Sequence, residues 1–412
     1  MNIINELKQR GILKQISNED KFNTFKPSEI AIYAGFDPTA QSLHLGNYII
    51  ISVLKRFKHA GYKVYALIGG ATGMIGDPSF KDSERILLDN EQVNINKSKI
   101  KAQLESQGLE VIDNYDFYKN MNVLEFLRDA GKLVNISYML AKDSVSSRIS
   151  RGLSFTEFSY QLLQGYDFLK LYQNFNVKVQ IGGSDQWGNI TTGLDMISSV
   201  VGDINSKAVG ITIDLLTDEN GKKIGKSTGG GALWLDKKMA SPFQMYQYLF
   251  NQSDLVVEKL LKWLSFFTTE EINQIMNKHV QDTKQRYAQS MLAYAIVSDL
   301  FGEDEAKNSV NVTKILFDKT FDATSLNVNE IAKLSDYLPV VEIEKNANII
   351  EKLIETKHIL SKREAREFIQ NKALKVDGQT IVEDSLYIPQ HFEGQYAIFN
   401  KGKKQTILLK TI

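Results

Sequence analysis

Cysteine is absent from this 412-residue chain, which excludes disulfides, thiolate catalysis, iron–sulfur clusters and cysteine-ligated zinc. Histidine is scarce. His44, His59, His279, His358 and His391 lie far apart without an HExxH-like pair, so no protein-ligated metal is expected. No run approaches the ~18 apolar residues of a membrane helix. The start, MNIINELKQRGILKQISNED, lacks the apolar stretch of a signal peptide, so a soluble, cytoplasmic protein with no membrane partner is expected. Net charge is missing too: 49 basic and 49 acidic side chains cancel, which argues against indiscriminate nucleic-acid binding. That zero hides an asymmetry, because Lys345 to Ile412 holds 12 Lys and Arg against 8 Asp and Glu, leaving the rest at −4. With 43% hydrophobic and 24% charged residues the chain is neither disordered nor fibrous, and its length suits about two to four domains.

The first half alternates β runs with amphipathic helices. Ile30 to Phe36 is a compact apolar run ending at Asp37-Pro38, as a strand buried on both faces should. Leu45 to His59 has helical apolar spacing, late Lys58 and His59, and Gly61 just beyond. Lys63 to Ile68 is a second strand with a glycine-rich exit, and Val177 to Ile181 and Val209 to Leu216 are further strands. This order predicts a Rossmann-like α/β fold with a doubly wound parallel sheet over residues 1–235, carrying a helical insertion at about 120–175. Residues 236–325 read as an all-α domain and 326–347 as a linker. The tail, 348–412, reads as a small α+β domain. In it, Ser361 to Glu364 has the spacing of a capping box, and Asp377-Gly378 marks a hairpin.

Five segments hold candidate chemistry. Asp37 to Asn47 (DPTAQSLHLGN) lies between a strand and a helix, where N–H groups meet anions. Thr39 and His44 there can donate to phosphate, and Gly46 leaves room for a flat group on the helix backbone; the alternative is a helix-entry loop with an incidental histidine. Gly69 to Pro78 (GGATGMIGDP) has the wrong spacing for GxGxxG, and a tight turn without a ligand stays open. Gln180 to Asn189 (QIGGSDQWGN) ends a strand in two glycines and then offers a carboxylate suited to ribose hydroxyls. Gly221 to Gly231 nearly matches GxxxxGK[ST], but Asn220 stands at the first glycine and three glycines follow where a helix would have to start. A mobile cationic loop that closes over polyphosphate, or a solvated hairpin, fits better. Finally, Tyr160, Gln164 and Asp167 share one face of the helix read over 154–167, and buried polar groups of that kind need partners, structural or ligand.

Taken in this order, the segments resemble the bacterial tyrosyl-tRNA synthetases, class I enzymes with a Rossmann-like catalytic domain. HLGN at His44 to Asn47 is similar to the HIGH signature and KIGKS at Lys223 to Ser227 to KMSKS. YAGFDPTA, GGATGMIGDPS, SFTEFSYQLLQGYDF and QIGGSDQWGN resemble longer blocks of the tyrosine-specific branch, and the likeness spans nearly the whole chain. Two departures stand out. Asn47 replaces the second histidine of HIGH, and Ile224 and Gly225 replace Met and Ser of KMSKS while both lysines remain.

The resemblance implies activation of L-tyrosine by ATP with magnesium to tyrosyl-adenylate, followed by transfer to the 3′ end of tRNA(Tyr). It implies that Thr39, His44, Asn47, Lys81, Arg85, Lys223, Lys226 and Ser227 act on the polyphosphate. Gly35, Asp37, Gly46, Gly183 and Asp185, with Lys226, would line the nucleotide. Tyr33 and Asp167 would meet the phenolic hydroxyl, with Asp77, Tyr160 and Gln164 around the ammonium group and Gln180 and Gln186 near the carboxylate. Residues 236–325 would form the anticodon-side domain and 348–412 a ribosomal-protein-type RNA-binding domain; Lys142, Arg148 and Arg151 would guide the acceptor stem, and Lys362, Arg363 and Arg366 would contact tRNA phosphates. A homodimer through the helical insertion is implied as well. The rivals are a tryptophanyl-tRNA synthetase, a non-catalytic RNA-binding paralogue and, more distantly, a nicotinamide oxidoreductase. Tyr33 with Asp167 and the basic tail disfavour the first, intact His44, Lys223 and Lys226 the second, and the failed GxGxxG spacing the third.

Overall fold

The computed structural model describes residues 2–77, 79, 88–142, 145–146, 149, 152–217, 233–318, 321–402 and 405–412. The chain divides into two compact units, Met1–Ser241 with Gln252–Ala288, and Pro242–Asn251 with Gln289–Ile412.

The first unit is built on a six-stranded sheet of β1 (Leu13–Ile16), β2 (Ala31–Phe36), β3 (Lys63–Ile68), β4 (Glu110–Asp113), β5 (Val177–Gly183) and β6 (Val209–Ile213), in the order β1-β6-β5-β2-β3-β4. All neighbours are parallel except β1 with β6. The apolar residues of β2, β3, β5 and β6 are buried, which explains their nearly unbroken apolar sequences. The chain runs outward from β2 through β3 to β4 and then returns to β5 on the other side. The crevice between the ends of β2 and β5 is therefore the topological switch point where such sheets bind ligands.

Helix Leu45–His59 follows β2, with His44 as its N-cap. The insertion contains Val123–Asp129, Ile136–Ala141 and the long helix Phe155–Asn174. That last helix crosses Trp187–Val201 at two glycines. A methyl at Gly165 would lie 3.3 Å from the Gly193 backbone nitrogen, and one at Gly193 would lie 2.8 Å from the Phe168 ring. The close approach brings together two helices that both present polar side chains at the switch point.

In the second unit, helix Pro242–Phe250 packs on Glu303–Phe317, with Gln247 Nε2 donating to Thr313 Oγ1 at 2.6 Å. The terminal five-stranded sheet comprises β7 (Val340–Ile343), β8 (Leu374–Val376), β9 (Gln379–Thr380), β10 (Tyr396–Lys401) and β11 (Gln405–Thr411), in the order β7-β11-β10-β8-β9. The stretch 326–347, read as a linker, instead holds helix Val328–Lys333 and strand β7, which pairs in parallel with β11. Its apolar residues are in demand: Ile331, Leu334 and Leu338 share a core with Val312, Phe392, Ile398 and Leu408. The hairpin turns at Asp377 (φ 47°) and Gly378 (φ 79°), the left-handed pair of a type I′ turn. The capping box at Ser361 is half formed. Ser361 Oγ accepts from Glu364 N at 3.2 Å, but the Glu364 carboxylate accepts from Leu360 N and Lys401 Nζ, whose ammonium draws it toward β10.

Candidate active site

At the closed end of the crevice Asp167, 1% exposed, accepts from Tyr118 Oη at 2.7 Å and Asn114 Nδ2 at 2.9 Å. Burial pushes its carboxyl up to about 7 from 3.8, and those two hydrogen bonds hold it from rising further. Tyr33 on β2 is also 1% exposed, and its hydroxyl has no hydrogen-bond partner among the described residues. Burial first, and the field of Asp167 second, raise its pKa well above the ordinary phenol value, so it stays a proton donor. Gln180 on β5 is buried with Oε1 similarly unpartnered among the described residues. Unmade buried hydrogen bonds cost roughly 1–3 kcal/mol each, so polar atoms like these suit a polar ligand.

Toward the opening, Gln186 Nε2 donates to Asp77 Oδ2 at 2.7 Å. Asn189 Nδ2 lies 2.9 Å from Gln164 Oε1 and 3.2 Å from Gln186 Oε1. Tyr160 donates to Asp37 Oδ2 at 2.8 Å, and burial first, then the Asp37 and Asp77 carboxylates, push its phenol well above its ordinary value. Carboxylates and carboxamide oxygens thus ring this part of the crevice, a setting for a cation.

The opposite side of the crevice is built from the loop after β2. Thr39 N donates to Asp37 O at 2.9 Å. Gly35 is exposed on β2, and a methyl there would meet no atom of the described residues within 4 Å. Across the crevice a methyl at Gly183 would fall 2.6 Å from Asp185 Oδ1. At the helix start Asn47 Oδ1 accepts from the His44 amide at 3.1 Å, so the residue that departs from HIGH serves as a cap, with its NH2 group still a donor. Leu45 N donates to Leu233 O at 2.9 Å and Leu235 N to Leu43 O at 2.8 Å. These bonds stitch the HLGN segment to the chain immediately after residues 218–232. Gly46 lies in the first turn of this helix. Lys81, Arg85, Lys223, Lys226 and Ser227 fall outside the described residues, as do Arg148 and Arg151.

Lys142, expected at the acceptor stem, turns inward. Its Nζ meets Gly188 O at 2.8 Å, Thr191 Oγ1 at 3.1 Å and Thr192 Oγ1 at 2.5 Å, and burial lowers its pKa to about 8. An ammonium already satisfied by three protein oxygens holds a helix start in place and is poorly disposed to bind phosphate. On helix Lys362–Gln370 of the second unit, Lys362, Arg363 and Arg366 are all exposed. Arg366 forms a two-pronged pair with Glu383, and Lys362 Nζ lies 3.2 Å from Glu351 Oε1.

Sequence reasoning missed Thr72, Asn114, Tyr118 and Asn189. The available signal was position: Asn114 directly follows a short apolar run, at the carboxyl end of what proves to be β4.

Residues 26–318 match the family model for class I tRNA synthetases (W and Y), and 330–409 match the tyrosine-tRNA ligase SYY-like C-terminal domain. The chain is 64% identical over 412 residues to the tyrosine-tRNA ligase of Mycoplasmopsis agalactiae, covering all of both chains. It is 53% identical to that of Mycoplasmopsis synoviae, covering 99% of each. Among solved structures, a C-terminally truncated mitochondrial tyrosyl-tRNA synthetase from Aspergillus nidulans is 32% identical, with a TM-score of 0.70 over 76% of this chain and 94% of that one. A tryptophanyl-tRNA synthetase from Encephalitozoon cuniculi, at 13% identity and a TM-score of 0.54 over 74% of this chain and 87% of that one, shares the fold alone. With a catalytic-family match across the crevice, a tyrosine-type terminal domain and full-length relatives, the chain belongs to the bacterial tyrosine-tRNA ligases of class I.

Proposed function

We propose that this protein activates L-tyrosine with ATP and transfers the tyrosyl group to the 3′ end of tRNA(Tyr), using the crevice between β2 and β5. One observation supports this reading most: the buried carboxyl of Asp167 beside the buried phenol of Tyr33, whose hydroxyl has no partner among the described residues. The substrate phenol donates to the Asp167 carboxylate and accepts from Tyr33. Asp77, Gln164 and Tyr160 hold the ammonium group, with Gln180 and Gln186 toward the carboxylate.

In the first step the tyrosine carboxylate attacks the α-phosphate of ATP. The new C–O–P bond forms as the bond to pyrophosphate breaks, and no protein nucleophile is required. The rate comes from positioning and from cationic stabilisation of the spreading phosphate charge. Thr39, His44 and the Asn47 amide donate from one side, and Lys81, Arg85, Lys223, Lys226 and Ser227 complete the clamp. Asp37, Gly183 and Asp185 line the nucleotide, with Gly35 and Gly46 leaving it room. Magnesium enters as the companion of the ATP phosphates.

Lys362, Arg363 and Arg366 bind tRNA phosphates. The protein acts in the cytoplasm as a homodimer through the insertion, where Val123, Leu124, Ile136 and Phe155 leave apolar surface exposed. ATP–pyrophosphate exchange with tyrosine, tryptophan or phenylalanine as the amino acid tests the reading. Exchange dependent on tyrosine supports it, and exchange dependent on tryptophan, or none, overturns it.

A further inference from the structure

The Gly69-Gly70-Ala71-Thr72-Gly73 turn is tightly packed. A methyl at Gly69 would lie 2.0 Å from Asp37 Oδ1 and 2.4 Å from Thr72 Oγ1, and one at Gly70 would lie 2.1 Å from Asp113 Oδ1. The glycines therefore let Thr72 reach the end of β2 and let the turn settle against β4. Thr72 Oγ1 donates to Asp37 Oδ1 at 2.7 Å and accepts from Asn114 Nδ2 at 3.2 Å. The same Asn114 amide nitrogen donates to Asp167 Oδ2 at 2.9 Å, while Asn114 Oδ1 accepts from Ala71 N at 2.7 Å.

The direction of every bond follows from this. Asn114 Oδ1 is committed to a backbone amide, so its NH2 group must point at Asp167 and Thr72. The Thr72 hydroxyl accepts that proton donor and must spend its own proton on Asp37. One carboxamide thus feeds two carboxylates, one directly and one through a hydroxyl, and Thr72 and Asn114 are buried. Linked bonds of this kind in a low-dielectric interior polarise one another.

We propose that Thr72 is a positioning residue which, through Asn114, couples the carboxylate that reads the amino-acid hydroxyl to the carboxylate that lines the nucleotide. This rests on the functional reading above for the tasks of Asp167 and Asp37. Thr72 touches neither substrate; it fixes the orientation of Asp37 and sets how firmly Asn114 holds Asp167.

The test uses the full-length protein and three variants, with exchange kinetics for tyrosine, phenylalanine and ATP. Thr72→Val keeps the shape and removes the hydroxyl. It is expected to raise KM for ATP about tenfold and to reduce the tyrosine-to-phenylalanine ratio of kcat/KM about tenfold, as loss of a buried charged hydrogen bond should. Thr72→Ser, which keeps the hydroxyl, restores both to within about threefold. Should Thr72→Val fail to fold, Asn114→Ala probes the relay from its other end and is expected to raise KM for ATP about fivefold through the Thr72 hydroxyl. A change in one substrate's parameters alone in Thr72→Val, an unchanged KM for ATP in Asn114→Ala, or no rescue by serine would overturn the relay. Loss of tyrosine-dependent exchange in the unaltered protein would overturn the functional reading, and the relay with it.

Discussion

Tyr118 donates its hydroxyl proton to Asp167 Oδ1 at 2.7 Å across 49 residues of chain, and this bond favours the charged form of the carboxylate at the closed end of the crevice. Burial holds the Asp167 carboxyl near 7, and Tyr118 works against burial. A substrate phenol donates best to the ionised form. KM for tyrosine should therefore fall as pH rises through about 7. Tyr118→Phe removes a donor to the charged form and should move that inflection upward, which a pH profile of tyrosine KM will show.

The same carboxyl leaves a mark on stability. Its folded pKa of about 7 lies above the unfolded 3.8, so between these values the folded state binds more protons. The contribution is fully present below about pH 4 and is lost as pH rises through about 7. Thermal denaturation from pH 4 to 8 should show this falling component, and Asp167→Asn, which cannot titrate, should lack it.

Gly35 and Gly69 separate ligand room from packing. A methyl at Gly35 meets no atom of the described residues within 4 Å, so Gly35→Ala should leave stability within about 0.5 kcal/mol while impairing adenylate formation. Gly69→Ala places a methyl 2.0 Å from Asp37 Oδ1 and should lower stability as well as activity. Urea denaturation beside pyrophosphate exchange distinguishes the two.

Much of the central sheet was legible because β2, β3 and helix Leu45–His59 are buried elements with clean boundaries. The edge strands were not. Leu13–Ile16 and Glu110–Asp113 are four residues each and half exposed, so neither has a continuous apolar run. The site followed the same division. Residues at the ends of long strands, or at helical spacing on Phe155–Asn174, stood out from sequence pattern and family resemblance. Asn114 did not, because its role exists only through Asp167, 53 residues away, and Thr72, 42 residues away. Stretch 326–347 looked like a connection because Val340–Ile343 has its pairing partner at the chain's end, Leu408–Thr411.

Asn47 offers a local test. Its Oδ1 caps the His44 amide at 3.1 Å, so Asn47→Ala should cost about 1 kcal/mol in urea denaturation, apart from any effect on catalysis.

Lys362, Arg363 and Arg366 are exposed, and their carboxylate partners Glu351 and Glu383 form surface pairs of small energetic weight. Replacing all three by alanine should leave adenylate formation and stability unchanged. It should weaken tRNA binding and reduce the dependence of log K on log salt by roughly two to three, measured by titration across ionic strength.

Discrimination by Asp167 is the most direct test: kcat/KM for tyrosine against phenylalanine in pyrophosphate exchange, for the unaltered protein and for Asp167→Asn. Phenylalanine brings no donor to the buried Asp167 carboxylate and no acceptor to the Tyr33 hydroxyl, so the unaltered protein should strongly prefer tyrosine and the variant should lose about a hundredfold of that preference. An identical ratio in both proteins would contradict the account.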